Sequence, residues 1–217
     1  MATGTNAARH GTGEADLTIM LAAHDALRRD LVRLARAAAF ADLPDPARRA
    51  AVGAGWETFK HQLHLHHTAE DVIIWPTLRD RLSRSQGAQS VLDSMEEEHT
   101  RIDPLLAAVD HAFAHPEDGR LGDVTDALTS DILKHLTHEE RDALPLIGVA
   151  LTAGEWRSAG FKMARKNGLS AGGEMFAWLN DGADQDQAAA VLATLPPPAR
   201  LVYRAVWRPR YARTQRW

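Results

Sequence analysis

Apolar residues recur at intervals of three and four through the first two thirds of the chain, the spacing of one buried helix face. Leu17, Met20, Leu21, His24, Leu27, Leu31 and Leu34 form the first stripe, with Arg28, Arg29, Arg33 and Arg36 largely off it, which predicts an amphipathic helix from about Glu14 that ends before Pro44 and Pro46. A second helix opens after Asp45-Pro46, a capping residue followed by a proline in the first turn, and runs to about Leu82. On it Trp56, Phe59, Leu63, His66, Glu70 and Ile73 or Ile74 mark the inward face, Gly53 and Gly55 weaken the early turns, and Pro76 predicts a kink or break near the end. A third helix carries Leu92, Met95, His99, Ile102, Leu106, Val109 and Phe113, with a kink expected one turn past His99 because Pro104 cannot bond the carbonyl of Thr100. The fourth carries Val124, Leu128, Ile132, His135 and Glu139 and is expected to stop at Pro145. Four long helices with modest connections predict an all-α fold, an antiparallel four-helix bundle over residues 14–146.

The two ends read differently. Residues 1–13 are rich in Gly, Thr and Ala without apolar period, the pattern of a flexible leader. Residues 147–217 show shorter helical pieces at 155–166, 174–179 and 185–193, then a triple proline at 196–198. The last piece spaces Tyr203, Trp207 and Tyr211 four apart among six arginines with no acidic residue. A C-terminal helical appendage is expected, docked on the bundle by that aromatic row.

The apolar stripes contain a chemical anomaly. Each of the four carries a histidine on its inward face: His24, His66, His99 and His135. A buried imidazole needs partners for both nitrogens, and four converging in one core would destabilise it unless something binds them together. The second and fourth helices each add a glutamate four residues later, Glu70 and Glu139, which places carboxylate and imidazole one turn apart on one face. Inward histidine and glutamate pairs on facing helices are a bundle's way of holding two metal ions. His24, His66, Glu70, His99, His135 and Glu139 are therefore the candidate metal ligands. His67, adjacent to His66 and able to turn partly inward, is an additional candidate. Among the other histidines, His61, His64 and His138 are expected beside the site or in solvent, and His10, His111 and His115 at the surface.

Composition narrows the chemistry. The chain of 217 residues has no cysteine, which excludes disulfides, iron–sulfur clusters, zinc-thiolate sites and thiol peroxidase chemistry. Any metal is held by nitrogen and oxygen, a set that suits iron, manganese or zinc. A formal charge of -4 gives no electrostatic reason for a nucleic-acid or membrane partner. The N-terminal stretch has no signal-peptide core and no segment approaches the apolar length of a membrane span. A cytoplasmic protein is expected.

The chain resembles the hemerythrin-like (HHE cation-binding) proteins. HDALRRDL around His24, HHTAEDVIIWP at 66–76, EEEH ending at His99 and HLTHEERDALP at 135–145 are similar to that family's four helix signatures, in the ordered set H, HxxxE, H, HxxxE. The resemblance covers roughly residues 14–146. It implies a non-haem di-iron centre with an oxo or hydroxo bridge, interacting with dioxygen, hydrogen peroxide or nitric oxide, with zinc and manganese still open. Two departures bear on function. The family's oxygen carriers use two histidines one turn apart on the third helix, where this chain has Met95 and Asp103 on either side of His99; and they place an aspartate five residues after the last histidine, where this chain has Glu140. One imidazole is missing from that pattern unless His67 supplies it. A more open centre favours peroxide decomposition or dioxygen-dependent redox activity, with an oxygen, nitric oxide or iron sensor, and a di-iron oxygenase acting on an organic substrate, as alternatives.

Overall fold

The structure, a computed structural model, describes residues 13–38 and 45–217; all but the last residue of the expected leader, and Pro44, lie outside them. Among the described residues all regular structure is helical. Helix α1 spans Thr18–Ala38, its first turn held by Asp16, whose carboxylate accepts from the Thr18 N–H at 3.0 Å. It therefore starts a turn later than the apolar pattern suggests. Helix α2, Pro46–Ala69, opens as expected, with the Asp45 side chain accepting from Ala47 N–H at 2.9 Å. After a π-helical turn at Glu70–Ile74 the chain continues as α3, Trp75–Arg81. Helix α4, Gln86–Ala114, runs through Pro104 as one element. The kink expected there leaves no break, because Ile102 and Val109 on either side of the proline are both buried in one core.

Helix α5, Leu121–His138, passes through a second π-helical turn at Glu139–Ala143 into α6, Leu144–Ala150, so the fourth helix does not stop at Pro145. The reason is shared with Pro76. Five residues of ideal α-helix carry a side chain about 140° from its start, but a π-turn takes up one extra residue and returns position i+5 to the same face. Trp75 N–H bonds the Glu70 carbonyl and Leu144 N–H bonds that of Glu139. Glu70 and Trp75 are thereby both buried, as are Glu139 and Leu144. The proline that follows falls in the first turn of the next α-segment, where its missing N–H does least harm.

Two apolar clusters result. One holds Leu27, Leu31, Trp56, Leu63, Ile102 and Leu136; the other holds Met20, Trp75, Leu78, Leu92, Met95 and Leu144. On the first three bundle helices the inward histidines and Glu70 fall between the two, as His24 does between Met20 and Leu27; on the fourth Glu139 does so, while His135 lies between Ile132 and Leu136 of the first cluster. The contacts Trp56 to Asp110 and Asp71 to His99 show α2 and α4 running in opposite directions.

The C-terminal part is helical too. α7, Ala153–Leu179, is interrupted where Gly168 adopts φ 80°, a backbone open to glycine, which separates the two pieces expected from the sequence. α8 spans Gln185–Ala193 and α9 Pro197–Val202; a third π-turn, Tyr203–Trp207, leads into α10, Arg208–Ala212, again with a proline, Pro209, in its first turn. Tyr211 and Trp217 pack against the bundle core, while Trp207 lies on Gly173 of α7. Gly55 does more than weaken α2: a side chain there would collide with the Trp217 ring.

The firmest tie is polar. Trp178 Nε1 donates to the buried carboxylate of Asp30 at 2.7 Å, Arg29 donates to the Trp178 carbonyl at 3.0 Å, and Arg33 joins Asp30 to Asp181. Trp178→Phe keeps an aromatic side chain but leaves a buried carboxylate oxygen short of its donor, at a cost of about 1.5–3 kcal/mol for a hydrogen bond to a charged group. The variant is expected to melt several degrees lower in calorimetry, and an unchanged melting temperature would show the tie to be dispensable.

Candidate metal centre

Donor atoms gather in two groups that share one residue. His24, His66, Glu70 and Glu139 place one ligand-type atom each within 4.8 Å of one another, and His67, Glu70, His99 and His135 do the same. Glu70 belongs to both. The structure thus brings together all six residues proposed from the stripes and adds His67. Adjacent helical residues point about 100° apart, so His66 turns toward α1, its ring 4.9 Å from that of His24, and His67 turns toward α4, stacked on His99 at 3.8 Å. Glu70, four residues after one and three after the other, sits between them. His67, the additional candidate, thus faces His99 on the third bundle helix.

The atoms facing each other are mutually unsatisfied. Among the described residues, Nε2 of His24, His66 and His67 and all four carboxylate oxygens of Glu70 and Glu139 are buried without a hydrogen-bond partner. His24 Nε2 lies 3.1 Å from Glu139 and His66 Nε2 3.2 Å from Glu70, but without hydrogen-bond geometry. His99 and His135 point their Nε2 atoms at each other across 3.2 Å. Seven orphaned donor atoms in a buried layer would be strongly destabilising. Cations of higher charge fit the place where they converge, and the donor set is the nitrogen and oxygen mixture such cations take.

Burial, then the Glu139 charge, raises Glu70 well above the usual carboxylate range. Burial also opposes ionisation of Glu139, but His24 overrides it and draws Glu139 down to about 2. For His24, burial is outweighed by Glu139 and Glu140, which lift it to about 9. His66 falls to about 3, through burial and then the neighbouring His24. In metal-free protein His66, His67 and His99, all depressed from 6.5, lose their stabilising contributions as pH falls below 6.5, and together they outweigh Glu70, raised from 4.5, whose share is fully present below 4.5 and lost as pH rises. His24, raised from 6.5, contributes fully below 6.5 and loses its share as pH rises through about 9. The Glu139 depression is the other side of the His24 pair and counts once. Metal-free protein is therefore expected to melt highest near pH 6.5; a melting temperature that climbs steadily from there to pH 9 would contradict this balance.

A ring of outer carboxylates surrounds the donors. Asp71 after α2 meets His99 Nδ1 on α4 at 2.9 Å, Glu98 on α4 meets His135 Nδ1 on α5 at 2.9 Å, and Glu140 after α5 meets His24 Nδ1 on α1 at 2.8 Å. Each acts on the next helix round the bundle. Each fixes the tautomer whose Nε2 faces inward. Reasoning from the stripes missed all three roles, although each acid is the immediate sequence neighbour of a donor: Glu70, His99 and Glu139 respectively. Arg28 steadies Glu140 at 2.7 Å. His138 bonds Glu98, as expected of a residue beside the site, while His61 and His64 are exposed.

Fold and site together define a helical-bundle protein with a buried histidine and glutamate cluster that could hold metal. The sequence profile of the hemerythrin HHE cation binding domain matches residues 15–147, more than half of the chain. The chain belongs to this family. No curated protein and no solved structure matches it. Among the described residues no helix is long and apolar enough to cross a membrane.

Proposed function

We propose that His24, His66, Glu70 and Glu139 hold one iron ion, that His67, Glu70, His99 and His135 hold a second, and that this di-iron protein reacts with hydrogen peroxide or dioxygen. The observation that carries the reading is the set of seven buried donor atoms without partners, arranged as two groups around a shared carboxylate. When bound, two iron ions supply paired one-electron steps and open positions for a small oxidant. The chain supplies the rest. Asp71, Glu98 and Glu140 keep three imidazoles aimed inward, and apolar clusters flank the layer. Burial and the Glu139 charge disfavour the ionised Glu70 carboxyl, an opposition that a bound cation would relieve.

Metal analysis of protein purified without added metal, followed by peroxide consumption and oxygen release, tests this reading. Two iron ions per chain and turnover are expected. Full iron occupancy without turnover sinks the peroxide reading, and a zinc-only or manganese-only centre sinks the iron assignment. One observation favours a second reading, a sensor of dioxygen, nitric oxide or iron: α1 carries both His24 and Asp30, the buried anchor of Trp178. A change at the centre then alters hydrogen-exchange protection over residues 147–217; protection that stays constant removes it.

A further inference from the structure

One side chain links the donor layer to the surface by two histidines. Glu98 accepts from His135 Nδ1 through Oε2 at 2.9 Å and meets His138 Nδ1 through Oε1 at 2.8 Å. His138 Nε2 in turn lies 3.3 Å from Asp142. Side-chain exposure climbs along this row, from 1% at His135 to 16% at Glu98, 25% at His138 and 33% at Asp142. The row borders a cleft of about 260 Å³ between α4 and α5 whose walls include Glu98, Arg101, Lys134, His135 and His138. The other outer carboxylates are held differently: Glu140 is pinned by the Arg28 guanidinium, and Asp71 meets His99 from a 39% exposed position.

We propose that Glu98 is the positioning residue of the second metal position, with His138 holding its other oxygen in place. This rests on the two-metal reading. An imidazole that binds a cation through Nε2 carries its proton on Nδ1, and Glu98, an acceptor, selects that tautomer and fixes the ring rotation of His135. Without His138 the carboxylate keeps its His135 bond, but on Oε1 only the 4.0 Å approach of the Arg101 guanidinium remains, from the cleft side. Among the described residues no donor of the first group bonds Glu98, so its effect is confined to the position formed by His67, Glu70, His99 and His135.

The test is titration of full-length metal-free protein with cobalt(II), followed by the visible absorption of the bound ion, by metal stoichiometry and by the metal-free melting temperature. Wild type takes up two equivalents. Glu98→Ala takes up the first as wild type does and binds the second about 10–100-fold more weakly. His138→Ala shifts the second step the same way by less, and Glu98→Gln, whose amide oxygen still accepts from Nδ1–H, restores most of the affinity. Wild-type binding of both equivalents by Glu98→Ala overturns the proposal, as does equal weakening of both steps with a lowered metal-free melting temperature, the mark of a mere brace between α4 and α5. Fewer than two equivalents in wild type refutes the two-metal reading and this inference with it, a failure visible before any variant is compared.

Discussion

Glu70→Ala is expected to abolish stable binding at both metal positions, whereas replacement of a donor belonging to one group, such as His24 or His99, weakens chiefly its own. Glu70 alone is common to the two groups, and each of its oxygens is buried without another partner. Loss of an outer hydrogen-bond partner typically weakens metal affinity about 10–100-fold, so loss of a shared donor exceeds that at both positions. The same substitution leaves the metal-free fold as stable or more so, because it removes a buried carboxyl whose ionised form burial and Glu139 disfavour. Metal content by elemental analysis and the metal-free melting temperature read the two effects separately. Two ions retained by Glu70→Ala would refute the bridging arrangement.

Removal of the proposed metal ions from wild type is expected to produce a large drop in stability. Ligand bound at about a thousand times its dissociation constant stabilises the native state by about 4 kcal/mol. For a chain of this size each kcal/mol moves the melting temperature by about 2–4 °C, so chelation lowers it by roughly 8–16 °C. The structural cause is the orphaned donor layer, which without cations leaves buried imidazoles and carboxylates facing one another. Calorimetry before and after chelation, with metal restored as control, checks this. A change of less than a degree or two would show that the layer is satisfied by protons and water alone, and would count against a resident metal.

The two predictions rest on features of unequal visibility in the sequence. His24, His66, His99 and His135 announce themselves because an imidazole on a leucine stripe violates the pattern that makes the helix. Glu70 and Glu139 follow from their spacing of four. His67 stayed ambiguous, since one helix can aim adjacent residues at two different neighbours only if both neighbours are present. Asp71, Glu98 and Glu140 were illegible for a related reason: on their own helices they look like solvated acids, and each finds its histidine on the next helix round. The prolines misled in the other direction. Pro145 reads locally as a stop, but the π-turn before it absorbs the missing hydrogen bond and lets burial of Leu144 and Ile147 carry the helix on.

What the sequence by itself determined is the helical class, the inward faces and the kind of atom that lies in the polar layer, because these follow from periodicity and from the cost of burying a polar ring. Tertiary structure alone decided how the donors divide into two groups, which residue serves both, which acid orients which imidazole, and that α1 is tied through Asp30 to the C-terminal helices. Those are relations between helices, and they depend on rotation and height of one element against another. A hydrophobic stripe specifies which side of a helix is buried, but it does not specify what that side meets.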